Sequence, residues 1–106
     1  MEMKLFTEEL KEMFVDYPLY SQSEVEDPLV IVKFFDPCGS ATWFLTELDV
    51  ETKTGFGLVT GLQVDELGYV SIDELESIKR PFGLTIERDL YFKQDRLNEI
   101  KKQYSS

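Results

Sequence analysis

Three strand-like segments follow one another within residues 41–76, and this succession constrains the fold more than any other feature of the chain. The segments are Ala41–Leu48, Phe56–Thr60 and Gly68–Val70, and turn-rich or acidic loops such as Asp49–Gly55 separate them. Their threonine, aromatic and β-branched residues suit a pleated surface. The stretch has no phosphate-binding glycine loop and no metal-ligand spacing, so it predicts an architecture but no reaction.

The segment before this stretch extends the pattern to an antiparallel meander. Leu29–Asp36 is apolar on both faces, as expected of an interior strand. Proline and glycine in Asp36–Gly39 occupy positions that a type I turn prefers, so we expect a hairpin that leads into Ala41–Leu48. Alternation along that second strand predicts two faces, one with Trp43 and Leu45 and the other with Phe44 and Leu48.

Three helices are predicted, at the N-terminus, after Ser71 and at the C-terminus. The first begins after Thr7 as the N-cap, ends at Pro18 and has one apolar stripe of period 3.6, formed by Phe6, Leu10, Met13, Phe14 and Tyr17. The second begins at a capping box of Ser71 and Glu74, and the third covers Asp95–Tyr104. The remaining segments are predicted to be an exposed acidic connector at Tyr20–Pro28 and a short strand at Leu84–Asp89.

The order of these elements predicts an α+β fold. We expect a mostly antiparallel sheet of about four or five strands, with two or three helices packed on it. With 106 residues the chain is long enough to bury one core without disulfides or metals, so we predict a single domain over residues 1–106.

Acidic side chains dominate the first part of the chain. Residues 1–76 contain 17 acidic and 4 basic residues, residues 77–106 contain 4 acidic and 7 basic ones, and the net charge is −10. A field of this sign repels phosphate backbones, so we expect no direct nucleic-acid binding; only the tail offers cations, at Lys93, Arg96, Lys101 and Lys102. The simplest interpretation of the acidic surface is solubility.

The sequence has the features of a cytoplasmic protein. The lone Cys38 cannot form an internal disulfide, and no apolar run approaches the roughly 20 residues that a membrane helix needs. The N-terminus has no basic, apolar-cored signal. We therefore expect a cytoplasmic location and no membrane partner.

Histidine is absent, so acid–base chemistry would depend on other side chains. Glu47, Asp49 and Glu51 have a spacing that places three carboxylates on one face of an extended strand, where they could hold a hard divalent cation. The alternative is a charged strand end that enters an acidic loop, and the lack of a calcium-loop glycine and closing glutamate favours it. We predict no metal, no cofactor and no catalytic residue.

Two further features each allow a structural and a binding interpretation. Alternation sends Glu87 and Asp89 to one face and Arg88 to the other, where Arg88 either pairs with an acidic sheet face or presents a bidentate fork to a ligand. Trp43 is either a core residue or an anchor at the mouth of a groove. In both cases the structural role is the simpler expectation.

The succession TWFLTELD, FGL, DELGYVSIDEL and LTIERDLYF resembles the small bacterial family called domain of unknown function 2958. The resemblance extends from the N-terminal helix through Leu90. It is carried by Trp43, Glu47, Leu48, Asp49, Phe56, Gly57, Leu58, Glu66, Leu67, Gly68, Tyr69, Val70, Glu87, Arg88 and Asp89. The resemblance implies an accessory role in conjugative elements, plasmids or prophages, and it implies no established activity.

The hypothesis that fits these features best is a non-catalytic protein-interaction or regulatory module with an unidentified protein partner. Its interaction face would comprise Trp43, Glu47, Asp49, Glu51, Glu66, Tyr69, Glu87, Arg88 and Asp89. One alternative is an acidic DNA mimic of the anti-restriction type, in which carboxylates imitate phosphates. The other is a small ligand- or metal-binding domain or enzyme that uses Glu, Asp and Arg side chains near Trp43.

Overall fold

The computed structural model describes residues 4–104, and in this part of the chain an antiparallel five-stranded sheet is combined with a two-stranded sheet and three α-helices. The predicted α+β fold is therefore confirmed. The elements in chain order are α1 (Glu8–Met13), β1 (Leu29–Val30), β2 (Val32–Phe35), β3 (Thr42–Asp49), β4 (Thr54–Thr60), β5 (Glu66–Ser71), α2 (Ile72–Ser77), a 3₁₀ turn (Pro81–Gly83), β6 (Glu87–Arg88), β7 (Asp95–Arg96) and α3 (Leu97–Tyr104).

The large sheet has the strand order β5-β4-β3-β2-β6, so β5 and β6 are its two edges. The β2–β3 hairpin is confirmed, and its predicted turn is closed by the Gly39 N–H, which donates to the Asp36 carbonyl over 3.3 Å. The single strand predicted at Leu29–Asp36 is in fact two strands. β1 pairs with β7, and between β1 and β2 the Ile31 N–H donates to the Leu45 carbonyl over 2.8 Å.

A β-bulge in β3 overturns the predicted alternation of that strand. The pairing of β3 with β4 shifts between Leu45 and Glu47, so Thr46 is an extra residue. Because side chains alternate with a period of two, one extra residue exchanges the faces of everything after it. Leu48 therefore packs in the cluster that contains Leu45, and its predicted place beside Phe44 was wrong.

Both faces of the sheet are covered. On the front face, defined by Phe34 and Leu45, the residues of α1 and α2 form a cluster with the strands; its helical members include Leu10, Ile72 and Leu75. On the back face, defined by Phe44 and Leu58, α3 adds Leu97 and Ile100. The helices thus cover the sheet as two separate apolar layers, which explains why the interior strands are apolar on both sides.

The first helix is shorter than its apolar stripe suggested. Thr7 is the N-cap as predicted, since its Oγ1 accepts the Leu10 N–H over 3.1 Å, but α1 ends at Met13 and Tyr17 lies in a following turn. The Tyr17 carbonyl accepts the Leu48 N–H over 3.0 Å. In the segment where the helix was expected to continue to Pro18, the Tyr17 carbonyl thus bonds to β3 and not to a helical N–H.

The connector between α1 and β1 is acidic but is not wholly exposed as predicted. Gln22 is buried, its Nε2 donates to the carbonyls of Leu29 and Thr46 over 2.8 Å each, and its Oε1 accepts the Leu29 N–H over 2.7 Å. One glutamine side chain thus satisfies three backbone groups of two strands and fixes the connector to the sheet.

The remaining boundaries differ by a few residues from those predicted. Ser71 caps α2 as expected, with its Oγ accepting the Glu74 N–H over 3.2 Å. β5 is longer than the brief extended piece that was predicted, β6 is shorter, and α3 begins at Leu97 because Asp95 and Arg96 pair with β1. Within residues 4–104, none of the helices has the length and apolar character that crossing a membrane requires.

Candidate binding groove beside the edge strand

The nine residues expected on one interaction face are spread over the sheet. Glu66 and Tyr69 belong to the β5 edge, whereas Glu87 and Arg88 belong to β6 at the opposite edge. Asp89 directly follows β6, and Asp49 and Glu51 lie at the turn between β3 and β4. The structure brings Trp43 and Glu66 together around one groove. Tyr69 also lines this groove from β5, but its ring packs against Phe56 on the opposite face of the sheet.

This groove, called here the Trp43 groove, lies on the front face between α2 and the loop that joins β4 to β5. It has a volume of about 280 Å³, and its lining includes Trp43, Leu62, Val64, Glu66, Gly68 and Glu74. Trp43 is half-buried, and it packs against the front-face cluster while it also lines the groove. Trp43 therefore combines the two roles that the sequence left as alternatives.

The loop between β4 and β5 contributes exposed apolar side chains to the Trp43 groove. Leu62 is 62% exposed and Val64 is 65% exposed, so folding leaves both side chains in water. Gly68 contributes open space, because a Cβ atom placed there meets no heavy atom within 4 Å. Apolar side chains around a concave surface with free volume are typical of binding sites.

Two carboxylates give the Trp43 groove its electrostatic character. Glu66 and Glu74 are both exposed and line it, and no lysine or arginine is among its lining residues. The chain as a whole has a net charge of −10. A groove of this kind attracts positively charged groups and repels phosphates and carboxylates.

On the back face of the same edge, Tyr69 forms a pair with Tyr20 of the connector. The Tyr69 hydroxyl donates to the Tyr20 hydroxyl over 3.3 Å, and the Tyr69 ring packs edge-on against Phe56 with centroids 5.3 Å apart. The hydrogen bond to Tyr20, assisted by desolvation, raises the pKa of the Tyr69 hydroxyl above its ordinary value. Both tyrosines remain mostly exposed, so they form a polar-tipped aromatic patch beside β5.

Glu47 lies in the interior and not on a surface. Its side chain is only 3% exposed, and its two carboxylate oxygens accept the backbone N–H groups of Tyr20 over 2.7 Å and Gln22 over 2.9 Å. The bulge at Thr46 is what turns Glu47 toward the connector on the back face. Glu47 therefore serves the fold by fixing the connector, and a partner cannot reach it.

Asp49 and Glu51 take part in a second, more open groove between α1 and the β3–β4 turn, where Asp49 Oδ1 accepts the Glu51 N–H over 3.0 Å. Its apolar lining comes from Phe14, Val15 and Leu48. Since Glu47 points away, the three carboxylates do not converge. Among residues 4–104, no group of three or more histidine, cysteine, aspartate or glutamate side chains is arranged to hold a metal ion.

Arg88 is a structural residue at the β6 edge. Its Nη1 donates to Glu9 Oε1 of α1 over 2.8 Å, and its Nη2 lies 3.1 Å from the Met13 sulfur. Asp89 Oδ2 forms an ion pair with Lys33 at 3.4 Å. The arginine does pair with a carboxylate, but the partner comes from a helix and not from the sheet face that was predicted.

Sequence reasoning missed Leu62, Val64, Gly68 and Glu74. The first two were hidden in what looked like an acidic loop, and their signal was the presence of apolar residues in a segment that a loop would fill with polar ones. Glu74 was assigned only to helix capping. Among the hydrogen bonds of residues 4–104 the Ser71 Oγ accepts the Glu74 N–H, but the reciprocal bond of the predicted capping box, from the Ser71 N–H to the Glu74 side chain, is not formed, and Glu74 lines the groove.

The chain matches a known protein family. The family described as "Protein of unknown function (DUF2958)" matches residues 5–101, which is nearly the whole length. No curated protein and no solved structure matches the chain significantly. The Trp43 groove thus combines exposed apolar side chains with two carboxylates beside the β5 edge.

Proposed function

The chain belongs to the DUF2958 family of proteins of unknown function. We propose that it acts as a non-catalytic protein-interaction module that binds a partner at the Trp43 groove. The observation that carries the proposal is the combination of exposed apolar side chains, Leu62 and Val64, with the carboxylates of Glu66 and Glu74 around one concavity. Aromatic and aliphatic anchors in the centre with charges at the rim are characteristic of protein-binding sites.

The partner we propose is a protein with a positively charged, partly apolar surface. The acidic rim selects cations, and the net charge of −10 accelerates association with a basic protein by long-range attraction. Leu62 and Val64 are exposed, and a protein partner could bury their apolar surface and gain binding free energy, whereas a small cation could not. A regulatory role in a bacterial mobile element, which the resemblance implies, belongs to the same proposal.

The structure gives less support to the DNA-mimic alternative. A mimic needs unpaired carboxylates in a regular array, but two of the three carboxylates of α1 form ion pairs within the molecule. Glu8 pairs with Lys11 at 2.8 Å, and Glu9 pairs with Arg88 at 2.8 Å. The carboxylates that remain available at the groove, Glu66 and Glu74, are accompanied by apolar surface that a phosphate backbone does not have.

The proposal is tested with a matched pair of charge-reversal variants. Glu66→Lys with Glu74→Lys reverses the groove, whereas Glu24→Lys with Glu26→Lys makes the same change in net charge on exposed connector residues. A protein captured from a lysate of bacteria that carry the parent mobile element is then purified, and its affinity for each variant is measured. The fluorescence of Trp43, the only tryptophan, reports occupation of the groove.

We expect the groove variant to lose at least about tenfold in affinity, since each of two rim charges becomes repulsive, and the connector variant to bind nearly as tightly as the unmodified protein. A Trp43 fluorescence change on binding should accompany this. Equal losses in the two variants would show that only net charge matters, and a loss confined to the connector variant would place the binding site elsewhere. Either result would contradict the proposal.

A further inference from the structure

The β5 edge of the sheet has a regular set of unpaired backbone groups. β5 pairs with β4 on one side only. The bond of 2.9 Å from the Ile72 N–H to the Lys53 carbonyl shows which residue pairs of β4 and β5 are hydrogen-bonded and which are not. Because hydrogen-bonded and non-hydrogen-bonded pairs alternate in an antiparallel ladder, Gly68 and Val70 bond to β4, and Leu67 and Tyr69 direct their N–H and C=O groups outward.

No other backbone group of the described chain forms a hydrogen bond with these outward groups. Within residues 4–104, the backbone hydrogen bonds outside the strand ladders include none to Leu67 or Tyr69. Natural edges are usually protected by proline, lysine, a bulge or a very short strand. β5 has neither proline nor lysine, pairs with β4 without a shift in register, and extends over Glu66–Ser71.

The opposite edge strand, β6, is protected against pairing with another chain. β6 comprises only Glu87 and Arg88, and Arg88 is fastened to α1 through Glu9. The contrast indicates that the open β5 edge is a local property and not a general feature of the sheet.

The side chains around β5 define what an added strand must contain. On the front face it would pass the Trp43 groove, with open space at Gly68 and the carboxylates of Glu66 and Glu74. On the back face it would contact Leu67, which is 48% exposed, and Tyr69, which is 60% exposed. Because side chains of a strand alternate between faces, a segment with basic residues at every second position and apolar residues between them matches both faces.

A second copy of this chain does not meet these requirements. Pairing of β5 with β5 of another copy would bring the Glu66 and Glu74 carboxylates of two molecules together, each molecule having a net charge of −10. Like charges that are brought together at an interface repel each other. Charge complementarity therefore favours a basic partner segment over self-association.

We infer that the partner binds by strand addition, as an extended segment of alternating basic and apolar residues that hydrogen-bonds to the outward backbone groups of Leu67 and Tyr69. This inference rests on the proposed function and specifies how the partner is held. Main-chain hydrogen bonds then supply affinity, and the Trp43 groove with its two carboxylates supplies specificity, as in other cases of β-strand addition.

The probe for the test is a short synthetic peptide of alternating lysine and valine. Its matched controls are the same peptide N-methylated at every lysine, the same peptide N-methylated at every valine, and a peptide of alternating glutamate and valine. Each methylated peptide lacks the amide donors of one edge but keeps all side chains. Binding is measured by Trp43 fluorescence and by amide hydrogen exchange of the full chain.

We expect the lysine–valine peptide to bind saturably and to slow exchange of the Leu67 and Tyr69 amides, with little effect at Gly68, whose amide already bonds to β4. At least one methylated peptide should bind at least about tenfold more weakly, and the glutamate–valine peptide should not bind. Equal affinity of the methylated and unmethylated peptides, or no saturable binding up to about 1 mM, would overturn strand addition.

The two proposals fail in different ways. If strand addition is wrong but the groove binds a protein, the purified partner still distinguishes the Glu66→Lys, Glu74→Lys variant from the connector variant. If the groove itself is not a binding site, that distinction disappears. Equal binding of the lysine–valine and glutamate–valine peptides would overturn the inference through its charge requirement, whatever the effect of methylation.

Discussion

The backbone N–H of Tyr20 and the carboxylate of Glu47 are joined by a hydrogen bond of 2.7 Å across 27 residues of sequence. Tyr20 has a φ of +72°, a left-handed conformation that costs a residue with a side chain roughly 1–2 kcal/mol. The buried carboxylate compensates for this cost and places the Tyr20 ring beside Tyr69. An acidic residue that the sequence suggested for the surface thus sets the geometry of the back face at the β5 edge.

Glu47→Gln should destabilise the protein by about 1.5–3 kcal/mol, because one carboxylate oxygen that accepts a backbone N–H is replaced by an amide donor. Urea denaturation measures the loss as a lower midpoint with an unchanged slope. Glu51→Gln, at an exposed position, is the matched control and should stay within about 0.5 kcal/mol of the unmodified protein. Equal effects of the two substitutions would show that the Glu47 hydrogen bonds do not hold the connector.

Gly57→Ala and Gly68→Ala should differ greatly in their effect on stability, although the two glycines lie in neighbouring strands and pair with each other. A Cβ atom at Gly57 would lie 1.9 Å from the Phe44 carbonyl oxygen, which requires the β3 backbone to move, so we expect a loss above about 3 kcal/mol or failure to fold. Gly68 has open space, and alanine there should change stability by less than about 0.5 kcal/mol. Thermal and urea unfolding compare the two, and similar stabilities would contradict the close approach of β3 and β4.

Gln22→Leu should cost about 3 kcal/mol, since it leaves the Leu29 N–H and the carbonyls of Leu29 and Thr46 without the partner that Gln22 provides. Hydrogen exchange gives a local readout, because the Leu29 amide should exchange much faster in the variant. Gln94→Leu changes the same residue type at an exposed position and should leave that amide protected. An unchanged Leu29 exchange rate in the Gln22 variant would contradict the anchoring role.

Tyr20→Phe should lower the pKa of Tyr69 toward its ordinary value, because the hydrogen bond from the Tyr69 hydroxyl to Tyr20 is the leading cause of the upward shift. ¹³C NMR titration of labelled tyrosines, of which the chain has 5, follows each hydroxyl. Tyr91→Phe, at a position that is 93% exposed, is the control. A Tyr69 pKa that does not respond to the Tyr20 substitution would exclude the hydroxyl pair in solution.

The same shift gives stability a pH dependence of known sign. The folded-state pKa of Tyr69 is above the unfolded value of about 10, so the folded chain holds the proton more tightly. The stabilising effect of the hydroxyl pair is fully present below the unfolded pKa and is lost as the pH rises through the folded pKa. Between the unfolded and the folded pKa of Tyr69, the free energy of unfolding should therefore fall less steeply with pH in Tyr20→Phe than in the unmodified protein.

Sequence reasoning located the elements whose signals are local. The caps at Thr7 and Ser71 and the turn at Asp36–Gly39 depend on residues within one turn of the chain, so they could be identified without the structure. The sheet was predictable because the strands follow one another and pair with their neighbours. β5 was only partly recognised since exposed Glu66 and Leu67 interrupt the pattern of a buried strand.

The candidate site was less predictable because it depends on contacts between distant residues. Nothing near Thr46 in the sequence shows that it is an extra residue, yet this one residue decides that Glu47 faces inward and that Leu48 joins the front-face core. Arg88 finds its partner Glu9 across 79 residues. The residues predicted to share one face are therefore divided by the topology between the two edges of the sheet.

The unequal edges of the sheet also limit how molecules of this protein can polymerise. Head-to-tail growth of a fibre by strand pairing needs two long, complementary edges on each molecule, so that every copy both receives and donates a strand. Here one edge is open over Glu66–Ser71, but the other consists of two residues, one of which is tied to α1. The sheet therefore lacks the second long edge that a self-propagating filament would require, although its β5 edge is open.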